Sequence, residues 1–228
     1  MALFVTGTGT DVGKTIFSAL VMARYGKELN LKYLKPVQTG ADSDRDAVQK
    51  FSGLSDTHFL AGHYHFKLAA SPHLAAEQEQ SRIDTPGLED QLKNHTGQNT
   101  IIELAGGLMV PLTREGYHTN LDLVRAVGFP SVLVAATGLG TINHTVLSWR
   151  ALQQFGVDCR GIFFVGKTVE TQNFASLLRT DNIRTIAEMT GAPILGDFML
   201  PGETLSPEVF RDLARTFDRQ GKFRAILS

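Results

Sequence analysis

Cysteine is nearly absent from this 228-residue chain: Cys159 is the single one, so no disulfide can form within the chain and a reducing compartment is the default expectation. An excess of one charge sign is also missing, because 22 Lys and Arg balance 23 Asp and Glu. The net charge of −1 gives no electrostatic case for general binding to nucleic acid or membranes. No apolar run reaches the roughly 18 residues of a membrane-spanning helix. These absences predict a soluble, cytoplasmic protein that binds neither nucleic acid nor membranes.

The remaining composition is that of an ordinary globular protein. Hydrophobic residues make up 43% of the chain and charged residues 20%, which is enough to build a sizeable core. The chain shows no internal repeat, low-complexity segment or linker, and its length fits one large domain. We therefore expect a single domain over residues 1–228.

Short apolar runs rich in β-branched residues alternate with helical patterns along the chain. The predicted strands are Ala2–Val5, Leu31–Val37, Thr100–Leu104, Ser131–Ala136, Gly161–Val165 and Pro193–Phe198. The clearest predicted helices span Ile142–Phe155 and Pro207–Arg219, the second with Ser206 as its N-cap. Several strands are apolar throughout, as is typical of parallel strands buried on both faces. The pattern predicts an α/β fold, a doubly wound, mainly parallel sheet of about seven strands with helices on both faces.

A glycine-rich segment, Gly7–Thr15, connects the first predicted strand to a helix. Backbone N–H groups at such a turn converge on phosphate, Lys14 can reach the β- and γ-phosphates, and the Thr15 hydroxyl can ligate magnesium. Five residues separate Gly7 from Gly13, one more than in the standard phosphate-binding loop, in which Thr8 would be glycine. The alternative interpretation is a glycine-rich turn with a solvated lysine. We favour phosphate binding.

Polar residues follow two more of the predicted strands, where ligands of such sheets bind. Lys35, extended before a proline, can neutralise a transferring phosphoryl group or a carboxylate, or can be a solvated lysine at a strand end. The acidic stretch Asp42–Asp46 is a solvated loop and helix start by default, and can instead contribute a magnesium ligand. Glu103 ends a buried strand, where a carboxylate is costly unless it is paired or metal-bound. With Thr15 it can complete a magnesium site, or it can cap the strand through backbone hydrogen bonds.

A second glycine-rich turn, Gly138–Gly140, precedes the helix that begins near Thr141. A helix start of this kind is a second candidate anion site. Two such turns suggest two anionic ligands, a nucleotide and an acidic co-substrate.

These motifs together resemble the dethiobiotin synthetase family, the ATP-dependent ligases of biotin biosynthesis. The matching segments are Gly7–Thr15 (GTGTDVGKT), Lys35–Gly40 (KPVQTG), Ser71–Ala76 (SPHLAA), Glu103–Gly107 (ELAGG), Val110–Leu112 (VPL) and Gly138–Thr145 (GLGTINHT). The same long glycine spacing occurs in the phosphate-binding loop of that family. The segments Lys35–Gly40 and Gly138–Thr145 are much more specific to the family than the phosphate-binding loop, which many nucleotide hydrolases share.

The resemblance implies a P-loop NTPase-like fold and a ligase that uses ATP and Mg²⁺. In that family 7,8-diaminononanoate and CO₂ (from bicarbonate) form a carbamate, whose oxygen attacks the γ-phosphate of the nucleoside triphosphate. The second amine of the resulting carbamic–phosphoric anhydride closes the cyclic urea of dethiobiotin, and ADP and phosphate are released. The family is homodimeric, with the substrate's carboxylate tail bound across the interface.

The resemblance also implies roles for individual residues. Lys35 and Lys14 are the implied catalytic residues, and Thr15, Asp46 and Glu103 the implied magnesium ligands, Asp46 because Asp46-Ala47 matches an Asp-Ala step that opens a helix in the family. The implied nucleotide-binding residues are Asp11, Val12, Gly13, Lys14, Thr15, Ile16, Asp46, Glu103, Gly106, Val165 and Gly166. The implied substrate-binding residues are Thr39, Lys35, Gly107, Thr141 and Asn143.

The chain departs from the family pattern at three places. Leu104 replaces the first glycine of Glu-Gly-Ala-Gly-Gly, so we expect a side chain that narrows the site or shifts the loop. Val165-Gly166 stands where the family reads adenine with an Asn-Asp pair, and Met199 stands where the family has proline. Because a base-reading amide is what makes rejection of other bases costly, these changes predict relaxed discrimination among nucleoside triphosphates.

Three other functions compete with this interpretation. Chromosome-partitioning and division-site ATPases share the sheet, but they carry an additional lysine where this chain has Thr8–Thr10, and a basic membrane-binding tail is missing here. Amide-forming synthetases of large acids such as corrinoids carry a glutaminase domain, for which 228 residues leave no room. A degenerate, inactive homologue would explain Leu104 and the altered base site. Against that last alternative, the chain retains Lys14, Thr15, Lys35 and Glu103.

Overall fold

The computed structural model describes residues 1–167, 172–202 and 205–227. Its strands are β1 Ala2–Gly7, β2 Lys32–Leu34, β3 Val37–Thr39, β4 Tyr64–Phe66, β5 Thr100–Glu103, β6 Ser131–Ala136, β7 Cys159–Lys167 and β8 Ile194–Leu200. Its helices are α1 Lys14–Tyr25, α2 Asp44–Ser52, α3 Pro72–Gln78, α4 Thr85–Lys93, α5 Asn120–Val127, α6 Thr141–Gln154, α7 Gln172–Thr190, α8 Pro207–Ala214 and α9 Lys222–Leu227. Of the helices within these ranges, none has the length and hydrophobicity needed to cross a membrane.

Six of the strands form one sheet in the order β2-β5-β1-β6-β7-β8, and each neighbouring pair is parallel. The predicted doubly wound parallel α/β fold is confirmed. The expected number of about seven strands was close, since β3 and β4 pair with each other in a separate two-stranded sheet. The chain moves from β1 to one side of the sheet and returns past it to β6, so β1 lies at the topological switch point where ligands of such sheets bind.

Alternate side chains of the strands pack against helices on opposite faces of the sheet, as the period of two requires. Leu3 and Val5 contribute to a cluster that contains buried residues of α1, α2, α8 and α9. Ala2 and Phe4 contribute to a second cluster, with α3, α4 and α5. A third cluster joins β6 and β7 to α6 and α7. Helices therefore cover both faces of the sheet.

Two predicted elements differ from the structure. The predicted strand Leu31–Val37 is split, because Pro36 has no N–H to donate to a neighbouring strand and the chain leaves the main sheet there. The Pro36 carbonyl accepts instead from the backbone of His63 and Tyr64. The predicted helix Pro207–Arg219 begins as expected, with Ser206 as N-cap, but ends at Ala214.

Candidate active site

The phosphate-binding loop, as we call the glycine-rich segment Gly7–Thr15, connects β1 to α1. Two residues of this loop have left-handed backbone. Asp11 has a φ of 57° and Gly13, the N-cap of α1, a φ of 96°. A Cβ atom on Gly13 would lie 2.5 Å from the side chain of Val165 on β7, so only glycine fits there. No side chain caps the first turn of α1. Its N–H groups therefore remain available to an anion, which the helix dipole also favours.

Lys14 is buried at the first position of α1, and its Nζ donates to the Gly9 carbonyl at 2.7 Å. Burial and the positive charge of Lys35 lower the pKa of Lys14 to about 8. This bond folds the Lys14 side chain back onto the loop. The amine therefore lies beside the backbone that would hold a nucleotide's phosphates.

Glu103, at the carboxyl end of β5, is fully buried, and each of its carboxylate oxygens has two partners. Oε1 lies 2.9 Å from the Thr15 hydroxyl and 3.1 Å from Lys35 Nζ. Oε2 accepts from Ser18 Oγ at 2.7 Å and from Tyr33 Oη at 3.1 Å. Lys35, Ser18 and Tyr33 donate to this carboxylate, and the Thr15 hydroxyl shares its one proton between Glu103 and Asp44. These contacts offset the cost of removing the carboxylate from water.

Asp44, the first residue of α2, completes a cluster with Lys35 and Glu103. Its Oδ1 lies 2.7 Å from the Thr15 hydroxyl, and its Oδ2 lies 2.8 Å from Lys35 Nζ. Burial opposes the charged form of both partners, but their mutual attraction prevails: the pKa of Lys35 is raised and the pKa of Asp44 is lowered. Lys35 also donates to the Leu104 carbonyl at 3.3 Å, which holds its amine in place.

Asp46, the expected third magnesium ligand, lies outside this cluster. Its side chain is 72% exposed against 29% for Asp44, and its carboxylate lies 3.5 Å from Arg45. Helix phase explains the correction, because Asp44 precedes buried Val48 by four residues and shares its face of α2, whereas Asp46 is on the opposite side. The sequence signal that could have identified Asp44 is the apolar residue Val48, four positions further along the predicted helix.

One cavity of about 1130 Å³ contains the cluster and extends from the phosphate-binding loop to the ends of β7 and β8. Segment 69–72 and Gln38 also line it, and the SPHLAA motif starts in that segment. The predicted site residues that line the cavity are Asp11, Val12, Gly13, Lys14, Thr15, Ile16, Lys35, Thr39, Glu103, Gly106, Val165 and Gly166.

Besides Asp46, three predicted residues lie outside the lining of this cavity. Gly107 packs against the phosphate-binding loop, where an added Cβ would be 3.3 Å from the Gly9 backbone. Thr141, at the start of α6, is buried, and its hydroxyl donates to the Ala136 carbonyl at 2.5 Å. Asn143 is exposed on the first turn of the same helix. Within this one chain, Thr141 and Asn143 are thus not brought to the cluster around Lys35.

Leu104 does not narrow the cavity, contrary to expectation. Its side chain is buried in the cluster beneath α3, α4 and α5, together with Leu34 and Ile102. Only its backbone faces the site, where its carbonyl accepts from Lys35. Alternation along the extended backbone directs the Leu104 side chain away from that of Glu103.

The opposite end of the cavity, at β7 and β8, is mostly apolar. Side chains of Val165, Leu178 and Met199 line it together with the backbone of Gly166, and Thr137 and Lys167 are its polar members. A Cβ on Gly166 would lie 2.3 Å from Thr137 Oγ1 and 2.8 Å from Met199 Sδ. Thr137 and Met199 therefore occupy the space that a side chain at position 166 would need.

The donors near Lys35 fit magnesium. Among the described residues no three His, Cys, Asp or Glu side chains group into a metal site. Mg²⁺ at a nucleotide site needs fewer protein ligands, because it keeps waters and binds the phosphates. The Thr15 hydroxyl and the carboxylates of Asp44 and Glu103 supply only oxygen, and both carboxylates contact that hydroxyl beside the phosphate-binding loop.

Solved structures show the same fold. The septum site-determining protein MinD of Pyrococcus horikoshii, complexed with Mg-ADP, matches with a TM-score of 0.57 at 12% identity, over 100% of this chain and 99% of that one. A ParA family ATPase from Chlorobium tepidum matches with a TM-score of 0.55 at 11% identity, over 97% of each chain. At such low identity this likeness establishes the architecture alone.

Sequence comparison finds relatives of much higher identity. A family model described as an AAA domain matches residues 1–202. The chain is 45% identical over 213 residues to the ATP-dependent dethiobiotin synthetase BioD of Leptospira interrogans, covering 93% of this chain and 92% of the relative. It is 38% identical over 202 residues to the same enzyme of Novosphingobium aromaticivorans, covering 88% and 91%. Because relatives above 30% identity align with most of its length, the chain belongs to the ATP-dependent dethiobiotin synthetase family.

Proposed function

We propose that this chain is an ATP-dependent ligase that forms the two carbon–nitrogen bonds of a cyclic urea, converting 7,8-diaminononanoate and CO₂ to dethiobiotin. The observation that carries this proposal is the position of Lys35, a buried cation between Asp44 and Glu103 beside the phosphate-binding loop. A hydrolase needs a site for water and phosphate only. A fixed cation in the cavity that the phosphate-binding loop and segment 69–72 both line suits an anionic acceptor such as a carbamate.

The phosphoryl-transfer step needs position and charge rather than a covalent catalyst. Lys14 and the N–H groups at the start of α1 would hold the nucleotide's phosphates. Lys35, whose pKa is raised, stays protonated and would steady the carbamate oxygen and the transferring phosphoryl group. Each lysine would therefore act on a different ligand, although both are buried and the charge of Lys35 affects Lys14.

Magnesium would be held by Thr15 Oγ1 and the carboxylates of Asp44 and Glu103. When bound there, the ion supplies neutralising charge to the phosphates. The two carboxylates also hold Lys35, so the same pair of residues fixes the position of the amine.

The diamine would lie between Lys35 and the loop that follows β3. Thr39 is at the end of that strand and lines the cavity, where its hydroxyl would bond the carbamate. Gly107 would contribute backbone, since it lies against the phosphate-binding loop.

The carboxylate tail of the substrate would be bound by a second copy of the chain, in a homodimer. Thr141 and Asn143 lie outside the cavity of their own chain, and Leu139 and Leu147 beside them are highly exposed apolar residues. An interface at the start of α6 would cover these side chains and bring this helix start to the partner's cavity.

Phosphate release by the purified protein tests the reaction. With MgATP and bicarbonate, release should depend on added 7,8-diaminononanoate, and mass spectrometry should detect one cyclic-urea product for each phosphate. Omission of bicarbonate is the matched control. ATP hydrolysis that rises with DNA or lipid and ignores the diamine would instead favour a nucleotide-switch ATPase, and no release with any nucleoside triphosphate would favour a degenerate homologue.

A further inference from the structure

We propose that Tyr33 is a positioning residue for Glu103: with Ser18, its hydroxyl holds one carboxylate oxygen so that the other is presented to Thr15, Lys35 and magnesium. This inference deepens the proposed function, because it concerns the same carboxylate as a metal ligand. Nothing in the motifs of the chain assigns a role to this tyrosine.

The two oxygens of Glu103 face different surroundings. Oε1 faces the cavity, through Thr15 and Lys35. Oε2 faces the core, and within the part of the chain that the structure describes its hydrogen bonds are with the hydroxyls of Ser18 and Tyr33. Because a neutral phenol can only donate to a carboxylate, the Tyr33 contact fixes the direction of Oε2. The orientation of Oε1 follows, since both oxygens belong to one planar group.

Strand register delivers the Tyr33 hydroxyl to this position. Tyr33 on β2 lies opposite Ile101 on β5, and Ile101 and Glu103 are on the same face of that strand. The tyrosine ring therefore reaches diagonally along the sheet to the carboxylate two residues further on, within the range of a long aromatic side chain. Ser18 approaches the same oxygen from α1, one turn after Thr15.

Packing leaves the tyrosine ring little freedom. Tyr33 is fully buried in the cluster beneath α1, and its ring centroid lies 5.9 Å from that of Phe59. An immobile ring makes its hydroxyl a fixed donor, as an outer partner of a metal ligand needs to be. Such partners commonly influence metal affinity by about 10- to 100-fold when they are removed.

The test is Tyr33→Phe, which deletes one oxygen and preserves the ring. ADP affinity is measured by calorimetry as Mg²⁺ is varied, without substrate. We expect the Mg²⁺ concentration at half-maximal enhancement of ADP binding to rise about tenfold, while ADP affinity without Mg²⁺ stays within about twofold. Mn²⁺ binding in the presence of ADP, followed by electron paramagnetic resonance, should weaken by a similar factor.

Tyr25→Phe is the matched control. The Tyr25 hydroxyl also donates to a carboxylate, Asp218 at 2.8 Å, but it lies at the far end of α1, about 16 Å along the helix from Lys14. Its removal should leave the Mg²⁺ midpoint unchanged. An equal shift in both variants would reduce the effect to general destabilisation and overturn the proposal.

An unchanged Mg²⁺ midpoint in a folded Tyr33→Phe protein would also overturn the positioning role. If that variant fails to fold, Ser18→Ala provides the same test through the other donor to Oε2, with the same expected direction. These readouts require no ligase turnover. Failure of diamine-dependent phosphate release would therefore overturn the proposed reaction and leave the Tyr33 result to be judged separately.

Discussion

The two ends of the cavity differ in the polarity of the residues that line them. At the end near β5 and α1, Lys14, Lys35 and Glu103 are buried beside the half-buried Asp44, and the Glu103 carboxylate alone has four polar contacts. At the end near β7 and β8, apolar side chains and the backbone of Gly166 form most of the wall, with Thr137 and Lys167 as its polar members. The first end fixes charges in direction and distance, whereas the second offers mainly shape.

The difference reflects what each end has to distinguish. Charge that develops during phosphoryl transfer is stabilised only by groups already in place, so loosely held lysines and carboxylates would contribute little. An apolar wall discriminates weakly, because it leaves no buried polar group unpaired when the wrong ligand binds. Substitutions at the charged end should therefore have large effects, and changes of ligand at the apolar end small ones.

The largest effect is expected for Lys35→Ala. Diamine-dependent turnover should fall by about 10²- to 10³-fold, because the cation at the transferring group is lost. Nucleotide affinity should stay within about threefold, since Lys14 and the loop backbone hold the phosphates. Steady-state phosphate release and ADP calorimetry measure the two quantities. Loss of nucleotide binding with no separate loss of chemistry would show that the role of Lys35 is misassigned.

A smaller effect separates the two aspartates of α2. Asp44→Asn should raise the magnesium concentration needed for half-maximal turnover by about 10- to 100-fold, because a proposed ligand loses its charge. Asp46→Asn, the matched control on the same turn, should leave the magnesium titration unchanged, since its side chain is exposed. Equal titrations for both variants would remove Asp44 from the metal site.

The aspartates also show how far the sequence alone leads. The parallel sheet, the phosphate-binding loop and the cluster of Lys35, Thr15 and Glu103 follow from local motifs, because each motif directly follows a strand whose carboxyl end faces one edge of the sheet. The prediction of Asp46 as a magnesium ligand rests on its neighbour in sequence, Ala47. Which aspartate lies beside Lys35 depends instead on which face of α2 is buried. A short acidic stretch contains several carboxylates, and only helix phase tells which one points inward.

Other features depended on contacts between distant parts of the chain. The contact of Tyr33 with Glu103 spans 70 residues and depends on the register of β2 on β5, which no local motif encodes. A side chain in place of glycine at position 104 predicts a narrower site, yet the Leu104 side chain is buried in the core. Local sequence patterns thus predict where the charged cluster lies. Which other residues contact that cluster depends on tertiary packing.

The pH dependence of nucleotide binding tests the charged end through Lys14. Its pKa of about 8 in the free protein means that the amine loses its proton between pH 7.5 and 9. ADP affinity should therefore fall as pH rises, by up to about tenfold, because the neutral amine attracts phosphate less and rebinding a proton costs free energy. The phosphates of ADP are already ionised in this window. Calorimetry at pH 7.5, 8 and 9 measures the slope, and Lys14→Met should bind more weakly but with a flat profile.

The smallest effect is expected at the apolar end. Because Thr137 and Met199 fill the space beside Gly166, no side chain at that position can read a base edge. ATP, GTP and CTP should then support diamine-dependent turnover with kcat/KM values within about tenfold of one another, since a mostly apolar wall leaves few buried polar groups unpaired when another base binds. The phosphates, bound identically in each case, would carry most of the affinity. GTP and CTP at least a hundredfold poorer than ATP would show that this end of the cavity reads the base through polar groups after all.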